Sequence, residues 1–206
     1  MVGFGLRKAY YESWYVPRRR FTTSSREIAD LTIALLVLVA LGFSWYGFSL
    51  SPPVIGAVLV GVLPAFLLHE FAHKLSAQRY GFWAEFRLDT FGIVITAISI
   101  LAPFKIIAPG AVLIWGPPAG KTVMGRISLA GPLTNMLLVA VFFVLLPFIP
   151  PYIAWFSIGF NAFVAFFNLL PFGIFDGRKV IAWNWKIWLL FFAVSLILMA
   201  RSYLWL

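Results

Sequence analysis

The 206-residue chain has no cysteine, which excludes a disulfide framework, a thiolate metal site and a cysteine nucleophile. Histidine occurs twice, and Asp and Glu together seven times. Any metal must therefore be held by a handful of His, Asp, Glu or backbone groups. Charged residues make up 11% of the chain, against about 25% in a soluble domain. Apolar residues fill the gap, at 62% of the sequence with a mean hydropathy of +0.95. This composition is that of an integral membrane protein. A net charge of +9 would suggest nucleic acid in a soluble chain. Here the cations fall between apolar runs, which reads as membrane topology and anionic headgroups, with no nucleic-acid partner.

Residues 1–27 carry Arg7, Lys8, Arg18, Arg19, Arg20 and Arg26 interleaved with Tyr10, Tyr11, Trp14 and Tyr15, a mixture suited to a cytoplasmic membrane surface. A cleaved signal peptide is not expected, because the basic region is long and the apolar run after it can span a bilayer. Residues 28–206 read as one transmembrane domain. About 20 apolar residues cross the hydrocarbon core, and runs of that kind lie at about 28–48, 54–79, 127–148, 153–170 and 185–204. Lys74 and Arg79 mark the cytoplasmic end of the second run, on a topology with the N-terminus inside. Between the second and third runs, residues 82–115 behave differently. Glu85, Arg87 and Asp89 alternate with Ala84, Phe86 and Leu88, the period of a strand. The apolar stretch 91–104 is short for a span, and a second short β run follows at 111–115. The expected fold is an all-α polytopic membrane protein of five to six transmembrane helices, with a β-hairpin enclosing a re-entrant segment.

Both histidines lie in His69-Glu70-Phe71-Ala72-His73. The i, i+4 spacing puts both imidazoles on one helix face, where they can bind one zinc ion, with Glu70 beside it. A zinc ion lowers the pKa of a coordinated water to about 7 and a neighbouring carboxylate can take the proton, which is the logic of amide hydrolysis. Ionisable residues inside a span are costly and mark functional sites. The alternative is that these side chains snorkel or bond to neighbouring helices. A catalytic zinc takes three protein ligands, and the acidic candidates are Glu12, Glu27, Asp30, Glu85, Asp89 and Asp176. Asp176 stands out because it follows a long apolar run and the helix breaker Pro171, with Gly177 permitting a sharp turn. Alone it could equally be an Asx turn at a span end. If 91–104 only dips into the membrane, Asp176 returns to the leaflet of His69 and His73, and Arg178 and Lys179 satisfy the positive-inside rule.

The sequence resembles the site-2 protease family of intramembrane zinc metalloproteases. His69 to His73 match that family's HExxH. Asn168-Leu169-Leu170-Pro171 leading to Asp176-Gly177 is similar to its Asn-x-x-Pro and Asp-Gly motif, and Ala130-Gly131-Pro132-Leu133-Thr134-Asn135 resembles its Ala-Gly-Pro segment. The resemblance runs from about Leu63 to Lys179. It implies one zinc per chain on His69, His73 and Asp176, with Glu70 as general base and Asn168 orienting substrate or stabilising the oxyanion. An interhelical hydrogen bond is the other reading of Asn168, and Asn135 reads with Gly131 and Pro132 as helix packing. The implied partners are a transmembrane protein substrate and the lipid bilayer. No length is left for a PDZ or CBS module. A non-proteolytic metal-binding transporter or scaffold is the rival function. A prenyl-protein type of zinc protease is disfavoured, since no suitable glutamate follows Glu85.

Overall fold

The computed structural model describes residues 22–203. The expected basic segment lies mostly outside the described residues, Glu12 included. In chain order the described elements are α1 (Ser25–Ser44), α2 (Pro52–Arg79), β1 (Trp83–Leu88), α3 (Thr90–Ser99), β2 (Gly110–Trp115), α4 (Lys121–Leu145), α5 (Pro151–Asn168), α6 (Asp176–Trp183) and α7 (Trp185–Tyr203). The chain is mostly helical, and α1, α2, α4 and α7 are long and apolar enough to cross a membrane. The fifth expected span became α5, which falls short of that apolarity because it carries Ser157, Asn161 and Asn168. Its surroundings explain why it needs less: α5 packs against α2, α4 and α7, so its polar side chains meet protein rather than lipid. Small residues allow this close packing. A Cβ at Gly61 of α2 would lie 2.7 Å from the Phe156 ring of α5, and one at Gly42 of α1 would lie 2.9 Å from Val58 of α2.

The first helix starts three residues before residue 28. Ser24 Oγ accepts the Glu27 N–H at 3.1 Å, an N-cap that draws Glu27 into the helix and out of the supposed basic segment. Glu27 is 1% exposed and meets Lys74 of α2, with Nζ to Oε2 at 2.5 Å. Lys74 Nζ also donates to Thr22 O at 2.8 Å, and Glu27 Oε1 accepts the Phe86 N–H of β1 at 3.0 Å. Lys74 is therefore no boundary cation facing headgroups, as its sequence position suggested. It is half of a buried ion pair that fastens α1, α2 and β1 together. Removing one partner of such a pair leaves an uncompensated buried charge, which costs about 3–5 kcal/mol. Glu27→Ala is expected to lower the thermal midpoint of the detergent-purified protein well below that of Arg26→Ala, an exposed neighbour; equal midpoints would refute this role for the pair.

β1 and β2 pair antiparallel, with Trp83 opposite Trp115 and Leu88 opposite Gly110. Antiparallel pairing returns the chain to the end of the hairpin that it left, so residues 89–109 form an excursion between two neighbouring strand ends. Its helix, α3, has ten residues and rises about 15 Å, half of a roughly 30 Å hydrocarbon core. Asp89 Oδ1 caps it by accepting the Gly92 N–H at 2.6 Å. The loop leading back to β2 is tied to the same helix: Thr96 Oγ1 accepts the Ala108 N–H at 3.1 Å, and Ser99 Oγ accepts the Ile106 N–H at 3.1 Å. β1 lies within the alternating stretch, β2 begins one residue before the expected run at 111–115, and β2 packs against α2.

Candidate metal centre

His69, Glu70 and His73 lie in the C-terminal half of α2, all less than 10% exposed. The helix turn stacks the imidazoles 4.7 Å apart, edge to face, with Nε2 to Nε2 at 3.0 Å. Asp176 arrives from far along the chain. α5 stops at Asn168, since the residue before Pro171 is disfavoured in helical geometry, and the chain reverses through Gly173 at φ 61°. Trp188 of α7 then pins this loop, its Nε1–H donating to Leu169 O at 2.8 Å. Asp176 is the first residue of α6 and not part of an unwound segment. Gly177 serves close approach rather than a sharp turn, because a Cβ there would come 2.5 Å from Leu170 O.

The result brings one Asp176 oxygen 3.0 Å from His73 Nε2 and 3.7 Å from His69 Nε2. Burial works to raise the Asp176 carboxyl's pKa; the His73 and His69 imidazoles, by charge and hydrogen bond, overcome it and hold the group well below the usual carboxylate range. Each histidine is held through its other nitrogen. His73 Nδ1–H donates to Ile127 O at 2.8 Å, and His69 Nδ1 lies 2.6 Å from Asn135 Oδ1. α4 reaches this depth because Gly131 faces the rings: a Cβ there would stand 2.6 Å from His69 Nε2 and closer still to His73 Nε2.

Glu70 points into the adjoining cleft, and its Oε2 has no hydrogen-bond partner among the described residues. The cleft walls are Gly110 to Val112 and Ile114 of β2, Ser128 of α4, Asn168 and Lys179. Asn168 lies half-buried at the end of α5, its Nδ2–H donating to Val164 O at 3.1 Å, and borders two cavities that His69 and Glu70 also line. The five residues singled out by sequence are thus gathered at one place, while Glu27, Glu85 and Asp89 are engaged elsewhere. Asn135 was missed as a partner of His69. Its i+4 spacing from Gly131 could have disclosed it, since that spacing puts the amide on the face that meets the imidazoles. Ile127 O has no sequence signal at all.

Two imidazole nitrogens and one carboxylate oxygen, all within 4.8 Å of one another, form a donor set suited to one zinc ion. Three protein ligands, leaving a position open, are the number a catalytic rather than a structural zinc has. Four membrane-length apolar helices and this centre define the class, a multi-pass membrane protein with the site of a zinc metalloprotease. Comparison with known proteins agrees. Over 174 residues the chain is 41% identical to a protein of Methanocaldococcus jannaschii named "Putative zinc metalloprotease MJ0611", an alignment covering 82% of this chain and 90% of that one. The chain belongs to that protein's family. No family model and no solved structure matches it.

Proposed function

We propose that this protein is an intramembrane zinc metalloprotease of the site-2 protease kind, hydrolysing peptide bonds in or near transmembrane helices of membrane-protein substrates. The observation that carries the reading is a buried carboxylate with an unpartnered oxygen, Glu70, beside a His–His–Asp centre on a helix of membrane length. Zinc, when bound, supplies a Lewis acid. Glu70 takes the proton of the attacking water and returns it to the leaving amine, as a general base and then a general acid. The Asn168 amide donates to charge developing on the scissile carbonyl. α5 crosses the bilayer as a fifth span, and the 89–109 excursion dips into it from the side of the metal centre. The N-terminus and the site face the cytoplasm, a side favoured by Arg79, Arg178, Lys179 and the basic N-terminal segment.

An amide locked in a substrate helix has its N–H and C=O engaged, so it must be unwound to react. The free edge of a strand can hold it. β1 is the poorer candidate, because Glu27 takes the Phe86 N–H, whereas β2 lines the cleft. A proline scan through residues 111–114 should find positions whose loss of N–H reduces cleavage at least tenfold with zinc content intact. If no position separates cleavage from zinc, pairing on β2 is wrong. The reading as a whole is tested with detergent-purified protein and a transmembrane substrate, mapping product termini by mass spectrometry. Cleavage within or beside the apolar segment that stops with chelator and returns with zinc is expected. Cleavage confined to soluble segments, or indifferent to chelator, would sink it.

A further inference from the structure

Asn135 of α4 and Asn161 of α5 are both 0% exposed and link to His69 of α2 in a hydrogen-bonded chain. Asn161 Nδ2–H donates to Ser157 O at 2.8 Å. Asn135 Nδ2–H donates to Asn161 Oδ1 at 2.9 Å and to Ala65 O at 2.9 Å. Asn135 Oδ1 faces His69 Nδ1 at 2.6 Å. The direction of every bond follows from the ends of the chain. Ser157 O and Ala65 O are backbone carbonyls and can only accept, so each must face an NH₂ group. That leaves the Asn161 oxygen for the Asn135 NH₂, and the Asn135 oxygen for His69. The chain is satisfied only when His69 Nδ1 carries the proton, which leaves the lone pair on Nε2, the nitrogen that faces Asp176 and His73.

We infer that Asn135 and Asn161 are a positioning pair that fixes the tautomer and ring plane of His69 for the metal. This goes beyond fastening three helices together. It rests on the His69, His73 and Asp176 centre and not on proteolysis, so zinc affinity reads it whether or not a substrate is found. Partners of this kind change metal affinity by about 10–100-fold when removed. Zinc affinity, by competition with a chromophoric chelator in detergent, and thermal midpoint are measured for wild type, Asn135→Leu, Asn135→Asp and Asn161→Leu. Asn135→Leu is expected to weaken zinc by about 10–100-fold. Asn135→Asp keeps an acceptor for His69 Nδ1–H but loses both donors; its affinity should recover to within severalfold of wild type while its midpoint stays as low as that of Asn135→Leu. Wild-type affinity in Asn135→Leu, or no recovery in Asn135→Asp, would overturn the inference and leave the pair as helix glue. Should Asn135→Leu not fold, Asn161→Leu decides: it keeps the Asn135 bonds to His69 and Ala65, and a severalfold loss of affinity is expected where helix glue predicts none.

Discussion

Glu70→Gln is expected to bind zinc as the wild type does and to cleave a transmembrane substrate about 10²–10⁴-fold more slowly, the usual worth of a positioned general base. Gln preserves the volume of Glu and lies on the same turn, between His69 and His73, so the metal ligands and helix packing are undisturbed. What it removes is the capacity to accept a proton at an oxygen left without a partner among the described residues. Among the buried polar side chains, Asn135, Asn161, Thr96 and Ser99 all have partners, and the other unpartnered oxygen among the described residues is a neutral hydroxyl, Ser157 Oγ. An unpartnered carboxylate oxygen there is a cost to the fold, and its position on the cleft beside the metal ligands is where that cost has a use. Zinc content by elemental analysis and initial cleavage rate are the two readouts. A variant that keeps zinc and cleaves at the wild-type rate would remove Glu70 from the chemistry. It would also favour the rival reading of a metal-binding transporter or scaffold, for which this carboxylate is dispensable. Loss of zinc would instead make Glu70 part of the metal site.

Gly131→Ala carries the second large effect, and it comes from one methyl group. The new Cβ would lie 2.6 Å from His69 Nε2 and nearer to His73 Nε2, on the two atoms that must meet the metal. Ring nitrogens fixed through Nδ1 to Asn135 and Ile127 cannot swing away as the end of a flexible chain would. Either α4 backs off from α2 or the imidazoles leave their ligand geometry. Zinc affinity should fall at least tenfold, on the scale of lost metal-site support, with cleavage falling alongside. Gly56→Ala on the same α2 helix is the control, because a Cβ there meets only Ile153 Cδ1 at the ordinary distance of 3.7 Å. Zinc bound equally by the Gly131 variant and the control would mean that α4 yields easily and that the close approach has no bearing on the metal.

Much of this site can be read along the chain, because its parts are local. The i, i+4 pair on α2 needs only helical periodicity, and the strands at 83–88 and 110–115 show in alternation and in the flanking Gly and Pro. The end of α5 before Pro171 follows from the backbone restriction a proline imposes. Misreadings fall where a residue's role depends on something remote. Lys74 looked like a flanking cation until Glu27, 47 positions earlier, was found to bury it. Gly177 looked like a turn residue, yet what needs it is the approach of the Leu169 and Leu170 carbonyls. Asn135 looked like packing, and its partner His69 is 66 positions away. α5 met the length of a span but not its apolarity, since the neighbours of its amides are other helices.

By itself the sequence determined the membrane class, through an apolar composition that no soluble surface could accommodate. It also determined that any imidazole ligand to a metal is His69 or His73, since there are no other histidines, and that no thiolate can take part. It narrowed the third ligand to six acidic residues and favoured Asp176, but the choice depended on whether 91–104 crosses the membrane. The meeting of that carboxylate with the histidines is visible only in the tertiary structure. The antiparallel pairing of β1 with β2 turns the excursion back, and a carboxylate separated from His73 by more than 100 positions comes 3.0 Å from its ring. The tertiary structure alone also decided which nitrogen each histidine presents, how close α4 stands to the rings, and which strand lines the cleft. The physical reason is the same in each case. Periodicity and propensity act within a turn or a strand, whereas ligand geometry, tautomer and close packing depend on pairs of groups that meet only after the helices have assembled.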